Sequence, residues 1–228
     1  MAELGWLTRD LDDVPSHDRW LSEPERAVLS RLRTPKRRAD WRLGRWAGKA
    51  AVAAWRGVAP EAVVIMAGEN GAPEALIDGQ RGASLSLSHR AGRALAMVAD
   101  PPMVVGCDLE PIEPRSGAFL REWLRPVERE LVSAQTGEAR QLTANLIWTA
   151  KEAASKAMQE GLRLNIRQAT VEVDGPAQPA GSWSPLRVSW ENGSAELGWW
   201  RRDAGWVMTA ISDPASEAAP SELSQRCE

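Results

Sequence analysis

The spacing of apolar positions divides the chain into alternating helical and extended stretches. From about Leu21 to Val58 the pattern is helical. Ser22, Pro24 and Glu25 give a start signal for a first helix, because a serine cap, an early proline and an acid in the first turn all suit a helix N-terminus. A second helix follows Pro35. At about 100° per residue, Arg38, Arg42, Arg45 and Lys49 share one narrow stripe of it, and Ala39, Leu43, Trp46 and Ala50 lie about a quarter turn away. The first stripe is expected to reach outward and the second to pack.

After Gly57 the period shortens to that of strands: Ala62 to Met66, Ala83 to Ser88 and Arg93 to Ala99, the last two joined by a His89-Arg90-Ala91-Gly92 turn. A polar loop with Gly68, Asn70, Gly71 and Pro73 separates the first two. Met103 to Glu110 follows Pro101-Pro102 as another strand, then helical segments at about 117–135 and 142–160, the latter stopping at Gly161. Strands return at 170–174, 186–190, 195–201 and 206–211. Helices followed by strands, twice over, predict an α+β fold built of two halves, residues 1–102 and 103–212. The Ala, Ser, Pro and Glu content from Ser212 onward predicts a disordered tail over 213–228.

Composition narrows the class. With 43% hydrophobic and 26% charged residues the chain is expected to be globular. No apolar run reaches the roughly 18 residues that span a bilayer, and the start lacks the order of a signal peptide, so a cytoplasmic protein without a membrane partner is expected. Two cysteines and two histidines without ligand spacing offer neither a disulfide framework nor a zinc site, and leave oxygen-preferring metals. The net charge is −3, yet Arg31 to Lys49 holds eight Lys or Arg against one acid, Asp40, which calls for an anion. A single basic helix in an acidic protein argues against nucleic acid.

Two constellations carry candidate chemistry. Val104 to Glu110 is an apolar strand ending in Asp108 and Glu110, whose i, i+2 spacing places both carboxylates on one face. Their repulsion is relieved either by solvent at a strand end or by a hard divalent cation such as Mg²⁺. On the long helix, Trp148, Lys151, Glu152 and Ser155 share a face with Lys156 at its edge. That face is either a charged surface with Trp148 as its anchor or the place where an anionic substrate meets a metal.

Together, Gly106-Cys107-Asp108-Leu109-Glu110 and Trp148-x-x-Lys151-Glu152-x-x-x-Lys156 resemble the signature pair of the 4'-phosphopantetheinyl transferase superfamily. Ser86-Leu87-Ser88-His89 is similar to its Ser-His segment, Trp123-Leu124-Arg125-Pro126-Val127-Glu128 to its aromatic-x-x-x-x-Glu segment, and Arg37-Arg38-x-x-Trp41-Arg42-x-Gly44-Arg45 to its basic helix. The length resembles the larger, monomeric surfactin-activating type. The resemblance implies two similar halves related by a pseudo-two-fold axis, with the active site at their interface. It implies transfer of the phosphopantetheine arm of coenzyme A to a serine of an apo acyl or peptidyl carrier protein, with release of 3',5'-ADP. Asp108, Glu110 and Glu152 would bind Mg²⁺, with Glu152 or, through water, Glu128 as base.

By the same resemblance Lys156 and Lys151 would steady the pyrophosphate, and Ser88 and His89 would contact coenzyme A. His89 has a plainer alternative as a loop histidine. Arg38, Arg42 and Arg45 would meet the nucleotide phosphates or decorate a solvated face. Gly71-Ala72-Pro73 would offer backbone to adenine, with Ala72 where relatives often carry a basic residue. Phe119, Leu120, Trp123 and Leu124 are either core or part of a carrier-docking face. A catalytically silent coenzyme A binder of the same fold is the competing function.

Overall fold

The computed structural model describes residues 3–158, 165–173 and 179–223. It is an α+β protein with two sheets and five α-helices among those residues. Helix α1 (Glu23–Arg31) begins where the sequence signals it, with Ser22 as cap. Helix α2 (Pro35–Arg56) has Pro35 in its first turn and stops at Gly57, whose φ of 68° is the left-handed conformation that glycine adopts freely.

The first sheet contains β1 (Gly5–Asp10), β2 (Val63–Ala67), β3 (Pro73–Ile77), β4 (Gln80–Arg90), β5 (Arg93–Ala99) and β11 (Ser221–Glu222), in the order β11-β1-β5-β4-β3-β2. The second contains β6 (Val104–Pro111), β7 (Ala169–Val173), β8 (Trp183–Trp190), β9 (Ala195–Asp203) and β10 (Trp206–Asp213), in the order β6-β10-β9-β8-β7. Helices α3 (Gly117–Trp123), α4 (Pro126–Ser133) and α5 (Gly137–Met158) lie between β6 and β7 in the chain.

Four apolar clusters hold these elements, the smallest packing Trp20, Leu21 and Leu29 with Trp41 and Trp46 of α2. Leu43, Ala47, Ala50 and Ala51 of α2 pack on Ile65, Leu85, Ala96 and Val98 of the first sheet. Ala150, Ala153, Ala154 and Ala157 of α5 pack on Val188, Val207 and Ile211 of the second. The sheets meet through Leu95 and Met97 of β5, Val105, Cys107 and Leu109 of β6, and Met208 and Ala210 of β10. Alternation along β6 therefore sends its odd residues to the inter-sheet core and its even ones, Gly106, Asp108 and Glu110, to the other face. Cys107 is fully buried and its thiol is pushed up to about 11 by desolvation, which suits an inert core residue.

Each of the two long helices, α2 and α5, also carries a buried ion pair of the same construction. Lys49, the fifteenth residue of the 22-residue α2, pairs with Glu25 of α1 at 2.9 Å, both side chains 0% exposed. Lys151, the fifteenth residue of the 22-residue α5, pairs with Glu128 of α4 at 2.6 Å, again 0% exposed. Both glutamates accept from the backbone N–H of their own helix cap, Ser22 and Arg125. Their other oxygens accept from a strand, Ile65 N–H at 3.1 Å and Val171 N–H at 3.0 Å. Each lysine donates in addition to a backbone carbonyl, Lys49 to Val63 and Lys151 to Trp123. Every charge is thus paired and hydrogen-bonded, the condition under which burial is tolerated.

Several sequence expectations change. The stretch 117–135 is two helices, because Pro126 cannot continue α3 and restricts the residue before it. Helix α5 begins five residues before the expected Leu142, and its expected stop at Gly161 lies outside the described residues. Strands β1 and β3 were not anticipated. The supposed tail from 213 is placed as far as Leu223: Ser221 and Leu223 N–H donate to Leu4 and Trp6 carbonyls, β11 runs parallel to β1, and Leu223 packs against the α2 core. Residues 224–228 lie outside the described part. Among the described residues no helix is long and apolar enough to cross a membrane.

The paired charges make a directional prediction. Glu128→Ala strands a buried ammonium and is expected to cost about 3–5 kcal/mol of stability. Glu128→Leu combined with Lys151→Met should recover most of it in a denaturant unfolding measurement. Equal losses in the single and double variants would contradict the pairing.

Candidate functional site

The site is built where α5 crosses β6. A Cβ added to Gly106 would stand 2.0 Å from Ala153 O and 2.5 Å from Ala157 N, so the helix backbone occupies the space of the missing side chain. That close approach brings Glu152, Ser155 and Lys156 over the next residues of the strand. Lys156 Nζ donates to Asp108 Oδ1 at 2.8 Å and to Cys107 O at 2.9 Å. From the first sheet, Ser88 Oγ donates to the same Asp108 oxygen at 2.6 Å, and Cys107 N–H donates to Ser86 Oγ at 3.0 Å. The edge of β6 is therefore joined to β4 by serine hydroxyls on alternate positions of that strand.

Asp108 Oδ2 is buried without a hydrogen-bond partner among the described residues. Glu152 is half-buried and its carboxyl is raised, first by burial and then by the charges of Asp108 and Glu110, with Lys156 opposing. The charges of the two β6 acids thus bear on Glu152 in a partly desolvated place. Glu110 is held differently: Oε2 accepts from Arg115 Nη2 at 2.8 Å, and Oε1 from Trp148 Nε1 at 3.3 Å. Among the described residues, no group of three His, Cys, Asp or Glu is drawn together tightly enough to enclose a metal by itself. An unpartnered buried carboxylate oxygen, a second carboxylate disfavoured by its acidic neighbours and nearby hydroxyls nevertheless form an oxygen donor set, which suits a hard divalent cation that keeps waters and substrate oxygens.

Lys156 is about a third exposed. Burial lowers its pKa, but the acids around it, Asp108 foremost, outweigh this and leave it raised, so it remains a cation at neutral pH. Beside it a cavity of about 300 Å³ opens between the first sheet and α5, lined by Gly71, Ala72 and Pro73, by Ser84, Ser86 and Arg81 from the first sheet, and by Ser155 and Lys156 from α5. The expected turn, serine strand and signature helix therefore share one space. Ser155 lies on the helix face expected to meet an anionic substrate, whereas Arg81 and Ser84 stand outside the motifs, although the period-2 serines Ser84, Ser86 and Ser88 are a readable signal.

His89 reaches α2, where a Cβ on Gly44 would lie 3.5 Å from its ring. Burial lowers its pKa most; Asp40 opposes this, whereas Lys156 and Lys36 add to it. It stands between the basic helix and the α5 lysine, rather than in an isolated loop.

Other expectations are corrected. Lys151 and Glu128 are consumed by their buried pair and have no face toward the cavity. The helical wheel explains the lysine: Lys151 and Lys156 lie about 140° apart at opposite edges of the signature face, so one turns under α4 and the other over β6. The outward basic stripe of α2 is also mostly tied down. Arg38 donates to Leu29 O at 2.9 Å, and Arg42 bonds Pro15 O and pairs with Asp18 at 3.2 Å. Arg45 stacks on Trp41 and has its pKa lowered by burial, while Lys49 is in the core. Exposed Arg31, Arg33 and Arg37 supply the open positive charge at that end, whereas Lys36 pairs with Asp40 at 2.6 Å. Leu120 and Leu124 are buried, and Trp123 and Phe119 pack against Trp148.

Gly106→Ala should force α5 away from β6. A loss of at least about 1–3 kcal/mol is expected in denaturant unfolding, as for overpacking against backbone that cannot yield. A variant as stable as the wild type would show that the helix can shift freely.

No curated protein matches the chain. Residues 104–210, which contain β6, the whole of α5 and the second sheet up to Ala210 of β10, match the family model of the 4'-phosphopantetheinyl transferase superfamily.

Proposed function

We propose that the protein transfers the 4'-phosphopantetheine arm of coenzyme A to a serine of an apo carrier protein and releases 3',5'-ADP. The observation that carries this reading is the meeting of Asp108, Glu152 and Lys156 beside a cavity between the first sheet and α5, within the stretch that matches the superfamily. The first half, up to residue 102, contributes the turn and serine wall for the nucleotide end. The second, through 212, contributes the carboxylates and the lysine.

Asp108 and Glu152 are the residues with carboxylate capacity to spare for Mg²⁺, and Glu110 completes the acidic set. The bound ion would supply charge neutralisation to the diphosphate oxygens. Glu152, on the face of α5 that meets β6, is the base that takes the proton of the carrier serine. As the serine Oγ–phosphorus bond forms, the bond from phosphorus to the 3',5'-ADP oxygen breaks. Lys156 is held at the cavity wall, where its ammonium can steady the negative charge left on the phosphate oxygens. Ser88 orients Asp108, and His89, beside α2 and sensing Lys156, faces the anionic end of the nucleotide.

The direct test incubates the protein with coenzyme A, Mg²⁺ and a panel of apo acyl and peptidyl carrier proteins, then weighs the carriers. A gain of one phosphopantetheine group is expected, reduced by about 10²-fold or more in rate for Glu152→Gln and Asp108→Asn. Carriers left unmodified while coenzyme A binds would identify a silent coenzyme A binder instead. Wild-type rates in both variants would remove the assigned roles.

A further inference from the structure

Both oxygens of Glu110 are held, one by Trp148 of the signature helix and the other by a residue outside both signature motifs. Arg115 follows β6 in the loop before α3, with only 11% of its side chain exposed. One edge of its guanidinium donates from Nη2 to Glu110 Oε2 at 2.8 Å. Its Nε donates to Asn145 Oδ1 at 2.6 Å. Asn145 is fully buried in α5, and its amide nitrogen donates to Glu113 O and Gln141 O, both at 2.8 Å, so this side chain cannot turn without breaking three bonds. The guanidinium also lies 4.9 Å over the Phe119 ring, which meets Trp148 edge-on at 5.1 Å. Trp148 in turn donates to the other oxygen of Glu110.

Glu110 is therefore gripped from both sides by groups that are themselves immobilised. The exposed Arg90, 3.5 Å from Oε2, adds a looser contact. Asp108 is not held in this way, since one of its oxygens is bare, and Glu152 has no hydrogen-bond or ion-pair partner among the described residues. A glutamate has three side-chain torsions to fix before its oxygen can serve a cation, and fixing them in advance removes that entropic cost from binding. Each carboxylate oxygen has two lone pairs, so one bond from Arg115 or Trp148 leaves capacity on both.

We propose that Arg115 is a positioning residue of the metal site: locked by Asn145, it fixes the Glu110 carboxylate in the orientation from which it meets a divalent cation shared with Asp108 and Glu152. The proposal rests on the metal reading above. A purely electrostatic Arg115 would have the opposite effect, because a positive charge beside a cation site repels the cation. Arg115→Lys separates the two. It keeps the charge, but a single ammonium cannot span Asn145 and Glu110 as the planar fork does.

The test is calorimetric titration of Mn²⁺ into the full chain, with and without coenzyme A, with unfolding midpoints recorded in parallel. Arg115→Lys is expected to bind Mn²⁺ about 10–100-fold more weakly than wild type. Trp148→Phe, which retains the ring packing and removes only the indole N–H, serves as the second variant and should also weaken binding while staying folded. Wild-type affinity in both variants, or tighter Mn²⁺ binding in Arg115→Gln, would overturn the positioning role. If the wild type itself bound no Mn²⁺ in either condition, the metal reading would fall and this proposal with it.

Discussion

A helix and a strand can approach closely only where one of them has no side chain to interpose. In this protein that place is Gly106, two residues before Asp108, and the alanines of α5 continue the contact on the helix side. The consequence is positional. Once the α5 backbone rests on Gly106 through Ala153 and Ala157, the residues immediately before them, Glu152 and Lys156, come to lie over the carboxylates at the end of β6. An arrangement that depends on carboxylates and a lysine meeting in partly desolvated space is thus set by a hydrogen atom in place of a methyl group.

The rest of the framework keeps the helices from turning on that contact. Both long helices carry a buried lysine at the same position, each tied to a glutamate that caps a short helix and accepts from a strand N–H. One such pair connects three elements. Because the pair is fully desolvated, any rotation of α5 would strand a charge, so Lys151 fixes the helix azimuth while Lys156, on the other edge, is left for the cavity. The recurrence also separates roles: α2 carries alanines, Ala50 and Ala54, where α5 carries Glu152 and Lys156, fifteen and nineteen residues after matching starts, so only α5 bears the acid and the base.

Local patterning revealed much of this. The cap at Ser22, the first-turn proline at Pro35, the alternation of β6 and the period of α5 are local properties of the chain, and they place the signature residues on the elements where the structure has them. What the sequence could not disclose depends on partners distant along the chain. Lys151 and Lys156 both read as free cations, and only the packing of α4 against one side of α5 makes the first a structural residue. Arg38 and Arg42 read as an open stripe for the same reason, although α1 and the segment at 15–18 occupy their donors. β11 is two residues long in a tail poor in apolar residues, and it becomes a strand through the free edge of β1. Arg115 lies outside any motif, and its importance emerges only when Asn145, thirty residues away, is seen to hold it.

In the proposed function, residues of β6 and α5 share one divalent cation beside a diphosphate. Crystals grown with Mn²⁺ and coenzyme A test it most directly, through the anomalous scattering of the metal. The account predicts one strong peak in contact with Asp108 Oδ2, with a carboxylate oxygen of Glu152 and with the diphosphate in the cavity between the first sheet and α5. A peak elsewhere, or coenzyme A bound with its diphosphate away from β6 and α5, would contradict it.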